Sequence, residues 1–172
     1  MSRPLKLPRS AARKRIENKA LWNEARSIER ADFYTIGYEG RTADQLIEIL
    51  QDADVRSILD IRFTPLSRFR PEMSKSNLKE RVEAAGMYYY HAPHWGVPKD
   101  IRAKSIDTGS RDVIWDWYET YIIGQHFEQN LHWFLNIEHP AALLCVEFDP
   151  TECHRHRIFL ALERQGLCGF DL

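Results

Sequence analysis

Hydrophobic residues along the chain fall into short continuous runs separated by stretches of helical period. Phe33 to Tyr38, Val55 to Ile61, Met87 to His91 and Ala141 to Phe148 are apolar or β-branched runs of strand length, and Leu167 to Phe170 is a short fifth candidate. Between them, Leu46, Ile47 and Leu50 mark the inner face of a helix that Thr42 can cap, and a second helix opens at Ser74 or Ser76, runs through Ala85 and stops at Gly86. Residues Ala92 to Ser110 read as a long loop. An aromatic-rich helical insert spans about Asp112 to Ile137, with a break near Gly124. Strand–helix alternation of this kind predicts right-handed βαβ units: a single three-layer α/β domain over 33–172 with a mostly parallel sheet and a helical insert before the fourth strand. Residues 1–32 form a basic arm and helix. Ser10 caps that helix, which runs to about Arg30 and turns Ile16, Ala20, Leu21, Ala25 and Ile28 inward.

Charge adds a polarity that the net value of −1 conceals. Between Met1 and Lys19 stand seven basic residues and one acid, Glu17, so the arm carries +6 and the remainder −7. Such an arm suits either nucleic-acid phosphates or simple solvation, with little share in folding. No apolar stretch approaches membrane-spanning length. Three widely spaced cysteines fit reduced thiols in a cytoplasmic protein with no membrane partner. The oligomeric state stays open.

Open parallel sheets bind ligands beyond the carboxyl ends of their strands, and the polar clusters of this chain fall there. The first strand leads to Gly37, Tyr38, Glu39 and Arg41. The second leads to Asp60, Arg62, Ser67, Arg68 and Arg70, the third to His91 and His94, and the fourth to Glu147, Asp149 and the run Cys153-His154-Arg155-His156-Arg157. Each has a plain alternative. The glycine pair serves as a tight turn or a phosphate cradle, Asp60 as a general base or as the partner orienting an arginine, and the arginines as anion forks or a solvated face. Asp149-Pro150-Thr151-Glu152 has helix-start chemistry, which places Cys153 in or near a first turn whose dipole favours a thiolate. The competing reading makes Cys153 a buried plug and keeps Cys145 in the core, on a shared face with Glu147. A zinc site from Cys145, Cys153, His154 and His156 lacks a usual ligand spacing, so neither metal nor cofactor is expected. The aromatics of the insert sit at helical spacings and read as core.

Several segments together carry a resemblance: Thr-Ile-Gly-Tyr-Glu-Gly-Arg at 35–41, Leu-Asp-Ile-Arg-Phe-Thr-Pro-Leu-Ser-Arg at 59–68, Ser-Lys-Ser-Asn-Leu at 74–78, Ala-Gly-Met-Tyr-Tyr-Tyr-His-Ala-Pro at 85–93 and Leu-Leu-Cys-Val-Glu-Phe-Asp-Pro-Thr-Glu-Cys-His-Arg at 143–155. In order and spacing they resemble the family of domain of unknown function 488, over nearly all of Tyr34 to Gln165. The resemblance implies an α/β domain and brings no settled activity. It maps the family motif onto Gly37, Asp60, Arg62, Pro65, Ser67, Arg68, His91, Pro93, Glu147, Asp149, Cys153, His154 and Arg155, the same rim residues. Trp95-Gly96 stands where the family usually has Leu-Gly. The expectation is an enzyme acting on an anionic nucleotide, nucleic acid or phosphorylated compound. Asp60, His91, Glu147, Cys153 and His154 would be its reacting groups, and Arg62, His91, Glu147 and His154 would converge in one pocket. The alternatives are a non-catalytic nucleic-acid-binding module and a narrower thiol-dependent sulfur-transfer or redox role for Cys153.

Overall fold

The computed structural model describes residues 9–172; the arm residues Arg3 and Lys6 lie outside the described residues. Five parallel strands make one sheet: β1 (Phe33–Gly37), β2 (Ser57–Asp60), β3 (Tyr88–His91), β4 (Ala141–Cys145) and β5 (Gly169–Asp171), in the spatial order β3-β2-β4-β1-β5. Side chains alternate between two cores, as a sheet buried on both faces requires. Tyr34, Ile36, Ile58, Ala142 and Leu144 pack on one face against α2 (Ala43–Asp52) and α3 (Lys75–Ala84). Phe33, Leu59, Leu143 and Cys145 pack on the other face, beneath the insert and α7 (Arg155–Arg164). The chain is a three-layer α/β domain. Thr42 starts α2 through a full capping box with Gln45, as its sequence predicts.

Four local expectations are corrected. The stretch Ala92–Ser110 is not all loop, because it contains α4 (Lys99–Thr108), which begins after Pro98 and is ended by Gly109 in the left-handed region at φ 67°. The insert does not break at Gly124. Instead α5 (Asp112–Trp117) runs into a π-helical turn, Tyr118–Ile123, and on into α6 (Gly124–Leu135). Asp149 caps only a 3₁₀ turn, Pro150–Glu152, and Cys153 is extended, so α7 starts two residues beyond it. Finally, α1 (Arg9–Asn23) ends well short of Arg30 and docks by its polar side. Ile16 and Leu21 are exposed, while Asn18 bonds Asp149, Lys19 pairs with Asp171, and Arg15 pairs with Glu39 and Glu152. The edge that α1 covers is lined with carboxylates, and they select its cations and amides over its aliphatics. Trp22 is the apolar anchor, edge-on to Phe159 at 5.1 Å.

The connections define a crevice. Those leaving β1 and β2 go to the α2–α3 face, whereas the one leaving β4 goes to the α7 face. β4 lies between β1 and β2, so neighbouring loops part at its carboxyl end, which is where open parallel sheets hold their ligands.

Candidate functional site

A cavity of about 320 Å³ opens at that divergence. Its floor is Cys145, Val146, Glu147 and His154, one wall is Tyr38, Arg62, Phe63 and Thr64, and the opposite wall is Arg102, Ser105, Arg111 and Trp115 from α4 and α5 or just before them. Two glycines allow the loops to close this tightly. A Cβ on Gly37 would stand 1.8 Å from the carbonyl oxygen of Glu147, and one on Gly96 would stand 2.5 Å from the backbone nitrogen of Phe63.

The β2 loop is held by its own charges. Arg62 donates from Nε (2.8 Å) and Nη2 (2.5 Å) to Asp60 and from Nη1 to the carbonyl of Met73, while Tyr89 donates its hydroxyl to Asp60. The guanidiniums of Arg62 and Arg70 both lie over the Tyr38 ring, at 5.2 and 5.5 Å. Asp60 is therefore fully buried as the orienting partner of Arg62 and does not line the cavity. His91 sits behind this loop, donating from Nε2 to the carbonyl of Arg62 at 2.9 Å, with Nδ1 3.2 Å from Lys75 Nζ.

On the floor, Cys145 Sγ lies 3.6 Å from Glu147 Oε2 and 3.9 Å from His154 Nδ1. Nε2 of His154 is 3.4 Å from the carbonyl oxygen of Ile61. A carbonyl only accepts, so Nε2 carries a proton and, in the neutral ring, Nδ1 is left bare toward the thiols. Burial opposes charge on Glu147, but its own backbone N–H, His154, Cys153 and Arg155 together hold its carboxyl below the ordinary value. Burial likewise opposes the His154 imidazolium, and Cys153, Glu147 and the Ile61 carbonyl outweigh it, raising the pKa. Cys153 moves opposite to the helix-start expectation: burial, Cys145 and Glu147 push its thiol well up, with His154 pulling only weakly the other way. It stays a neutral thiol at neutral pH.

Of the four residues expected to converge, Arg62, Glu147 and His154 line one cavity and His91 does not. Gly37, Glu39, Arg41 and Arg155 fix loops: Glu39 accepts the Phe148 N–H, Arg41 donates to the carbonyls of Gly37 and Leu172, and Arg155 is enclosed by Asp171 and the carbonyls of Glu147 and Phe148. Ser67 accepts the Arg70 N–H, Arg70 donates to the carbonyls of Tyr38 and Arg41, and Arg68 is exposed with no side-chain partner among the described residues. His94 stands 5.2 Å from Trp133, at a separate aromatic pocket. Arg102 and Arg111, absent from the expected site, line the cavity with no ion pair or side-chain hydrogen bond among the described residues. Pro98 and Gly109, which bracket the helix carrying Arg102, were the available signal.

Comparison of the chain with family models finds the domain of unknown function DUF488 over residues 42–162. The chain belongs to that family. The DUF488 match takes in every cavity-lining residue except Tyr38, and it excludes α1 and the 37–41 turn. Comparison with curated proteins and with solved structures gave no match. No helix among the described residues is long and apolar enough to cross a membrane.

Proposed function

We propose that the cavity at the carboxyl end of β4 is the active site of an enzyme acting on an anionic substrate: a nucleotide, a nucleic acid or another phosphorylated compound. The observation that carries this reading is the pairing of unlike groups across one space. Arg102 and Arg111 offer guanidiniums that no carboxylate among the described residues engages, and facing them stand a carboxyl held ionised and an imidazole whose pKa is raised. The arginines bind the anion, Glu147 accepts a proton, and His154 donates one. A module that only gripped phosphate would gain nothing from Glu147, whose charge repels the ligand. The cations of α1 also speak against a simple nucleic-acid handle, since Arg15 and Lys19 are already paired within the chain. Thiolate chemistry at Cys153 is disfavoured by its burial.

Calorimetric titration with pyrophosphate, mononucleotides and short single-stranded oligonucleotides tests the reading. Arg102→Ala and Arg111→Ala are expected to weaken whichever ligand binds, and Glu147→Gln to preserve binding while abolishing turnover. Binding indifferent to both arginines would sink the anionic substrate; turnover surviving Glu147→Gln would sink the acid/base assignment.

A further inference from the structure

We infer that the floor of this cavity is a binding site for a zinc-like divalent cation, formed by Cys145, Cys153 and His154, with its fourth position open to the cavity beside Glu147. This rests on the cavity being the reacting centre, and it gives His154 the task of ligand rather than proton donor.

The geometry comes first. One ligand atom from each of the three residues lies within 4.8 Å of the others, and Cys145 Sγ is 3.6 Å from Glu147 Oε2 and 3.9 Å from His154 Nδ1. Around a tetrahedral zinc, with sulfur near ~2.3 Å and nitrogen or oxygen near ~2.0 Å, neighbouring ligand atoms stand about 3.4–3.8 Å apart. Side-chain adjustments of under ~1 Å complete the set. The sequence spacing conceals this grouping because Cys145 ends a strand and Cys153 follows a 3₁₀ turn. The fold joins them and leaves out His156, whose ring is packed edge-on between Trp22 and Trp115 and lies outside the cluster of ligand atoms.

The second observation is the orientation of His154. Its Nε2–H is committed to the Ile61 carbonyl, which leaves Nδ1 bare and facing the thiols. Metal-binding imidazoles are held in this way, by a backbone acceptor on the far nitrogen.

Charge is the third. Two thiols and a carboxyl are gathered around a single imidazole, and the guanidiniums of Arg155 and Arg62 are both engaged elsewhere, by Asp171 with two carbonyls and by Asp60 with the Met73 carbonyl. A divalent cation displaces one proton from each thiol to solvent, and the two thiolates cancel its charge, so a buried neutral centre results. Two sulfurs and one nitrogen favour zinc over magnesium or calcium. Three protein ligands with an open position match catalytic rather than structural zinc sites. There the ion would polarise a group of the substrate, with Glu147 remaining the proton acceptor.

The test uses the reduced, chelator-stripped full chain, titrated with Co²⁺ and then Zn²⁺. The expected result is one ion per chain, a thiolate-to-cobalt charge-transfer band with tetrahedral d–d absorption, and displacement by zinc. In weakly buffered solution zinc should release about two protons per ion bound, one from each thiol, and exposed Cys168 should stay open to alkylation. Cys153→Ser and His154→Ala should each weaken zinc binding by more than ~10-fold, and Cys168→Ser should bind as wild type. Replacing a buried thiol also disturbs packing, so proton release by the wild-type chain supplies a readout independent of any variant. No charge-transfer band, or zinc affinity unchanged in His154→Ala, would overturn the inference. Pyrophosphate binding to the stripped chain, lost in Arg102→Ala, would leave the anionic site standing where no ion binds; zinc binding without affinity for any anion would keep the metal centre and remove the anionic substrate.

Discussion

Two buried guanidinium–carboxylate pairs flank the centre of the sheet, and they have opposite fates. Arg155 and Asp171 are both completely buried. Asp171 also takes the Thr35 hydroxyl and Lys19, and Arg155 spends its other donors on the carbonyls of Glu147 and Phe148, so every approach is closed by the chain itself. Arg62 and Asp60 make a similar bidentate pair, but one side of Arg62 borders the cavity and lies over Tyr38. In the sequence both arginines look equally suited to an anion. Whether a guanidinium serves the fold or a ligand depends on how many backbone carbonyls reach it, and residue type does not encode that.

Breaking the closed pair should have the largest effect. Arg155→Ala leaves Asp171 to Thr35 and Lys19, strips the carbonyls of Glu147 and Phe148 of their donor and empties a fully enclosed space, and a buried pair deprived of one partner loses about 3–5 kcal/mol. Urea denaturation should register that loss, with a smaller one for Arg62→Ala, which releases the single carbonyl of Met73 and opens onto the cavity. Equal losses would erase the contrast.

The comparison sharpens at two histidines two residues apart. His154 faces the cavity with its pKa raised, so the stability it contributes is present below the ordinary histidine value and is lost as pH rises through the folded one. His156 is packed edge-on to Trp22 and Trp115, and burial, with help from the neighbouring cations, lowers it from 6.5 to about 4. Its folded ring stays neutral while the unfolded one takes up a proton, so this contribution is present above pH ~6.5 and is lost as pH falls toward the folded value, by about 3 kcal/mol at most. Urea midpoints measured between pH 7 and 4 should show that decline, and His156→Gln should remove it. A decline persisting in His156→Gln would place its origin elsewhere.

The smallest stability effect is expected at the cavity wall. Arg102→Ala and Arg111→Ala replace exposed side chains without partners among the described residues, so stability should stay within ~0.5 kcal/mol while anion affinity falls. A larger change in melting would make them structural after all.

The sheet was largely legible because its strands are buried on both faces and read as unbroken apolar runs, with capping chemistry at Thr42 fixing where α2 begins. The rim was legible as a place, since topology puts every strand end on one edge. What each rim residue does there was not legible. Lys99–Thr108 has only Ile101 and Ser105 turned inward, too little apolar periodicity to announce a helix, so the arginines on the facing wall were hidden. Asp149 and Pro150 have the chemistry of a helix start, but what they start is a 3₁₀ turn, and Cys153, extended behind it, has no place in a helix dipole. The docking side of α1 defied its own pattern because the carboxylates it answers belong to distant segments.

The π turn at Tyr118–Ile123 bears on how the length of this chain can vary. A π turn holds one residue more than the α-helical path beside it, and each residue of an α-helix advances the side-chain direction by about 100°. Removing a single residue there, such as exposed Thr120, would let the segment relax to a plain α-helix and keep the phase of everything downstream, with Phe127 and Phe134 still turned to the core. The same deletion within α6, between Phe127 and Phe134, meets no surplus residue and would turn Phe134 away from the core. Along this segment the cost of losing a residue depends on whether the helix already holds one more than it needs.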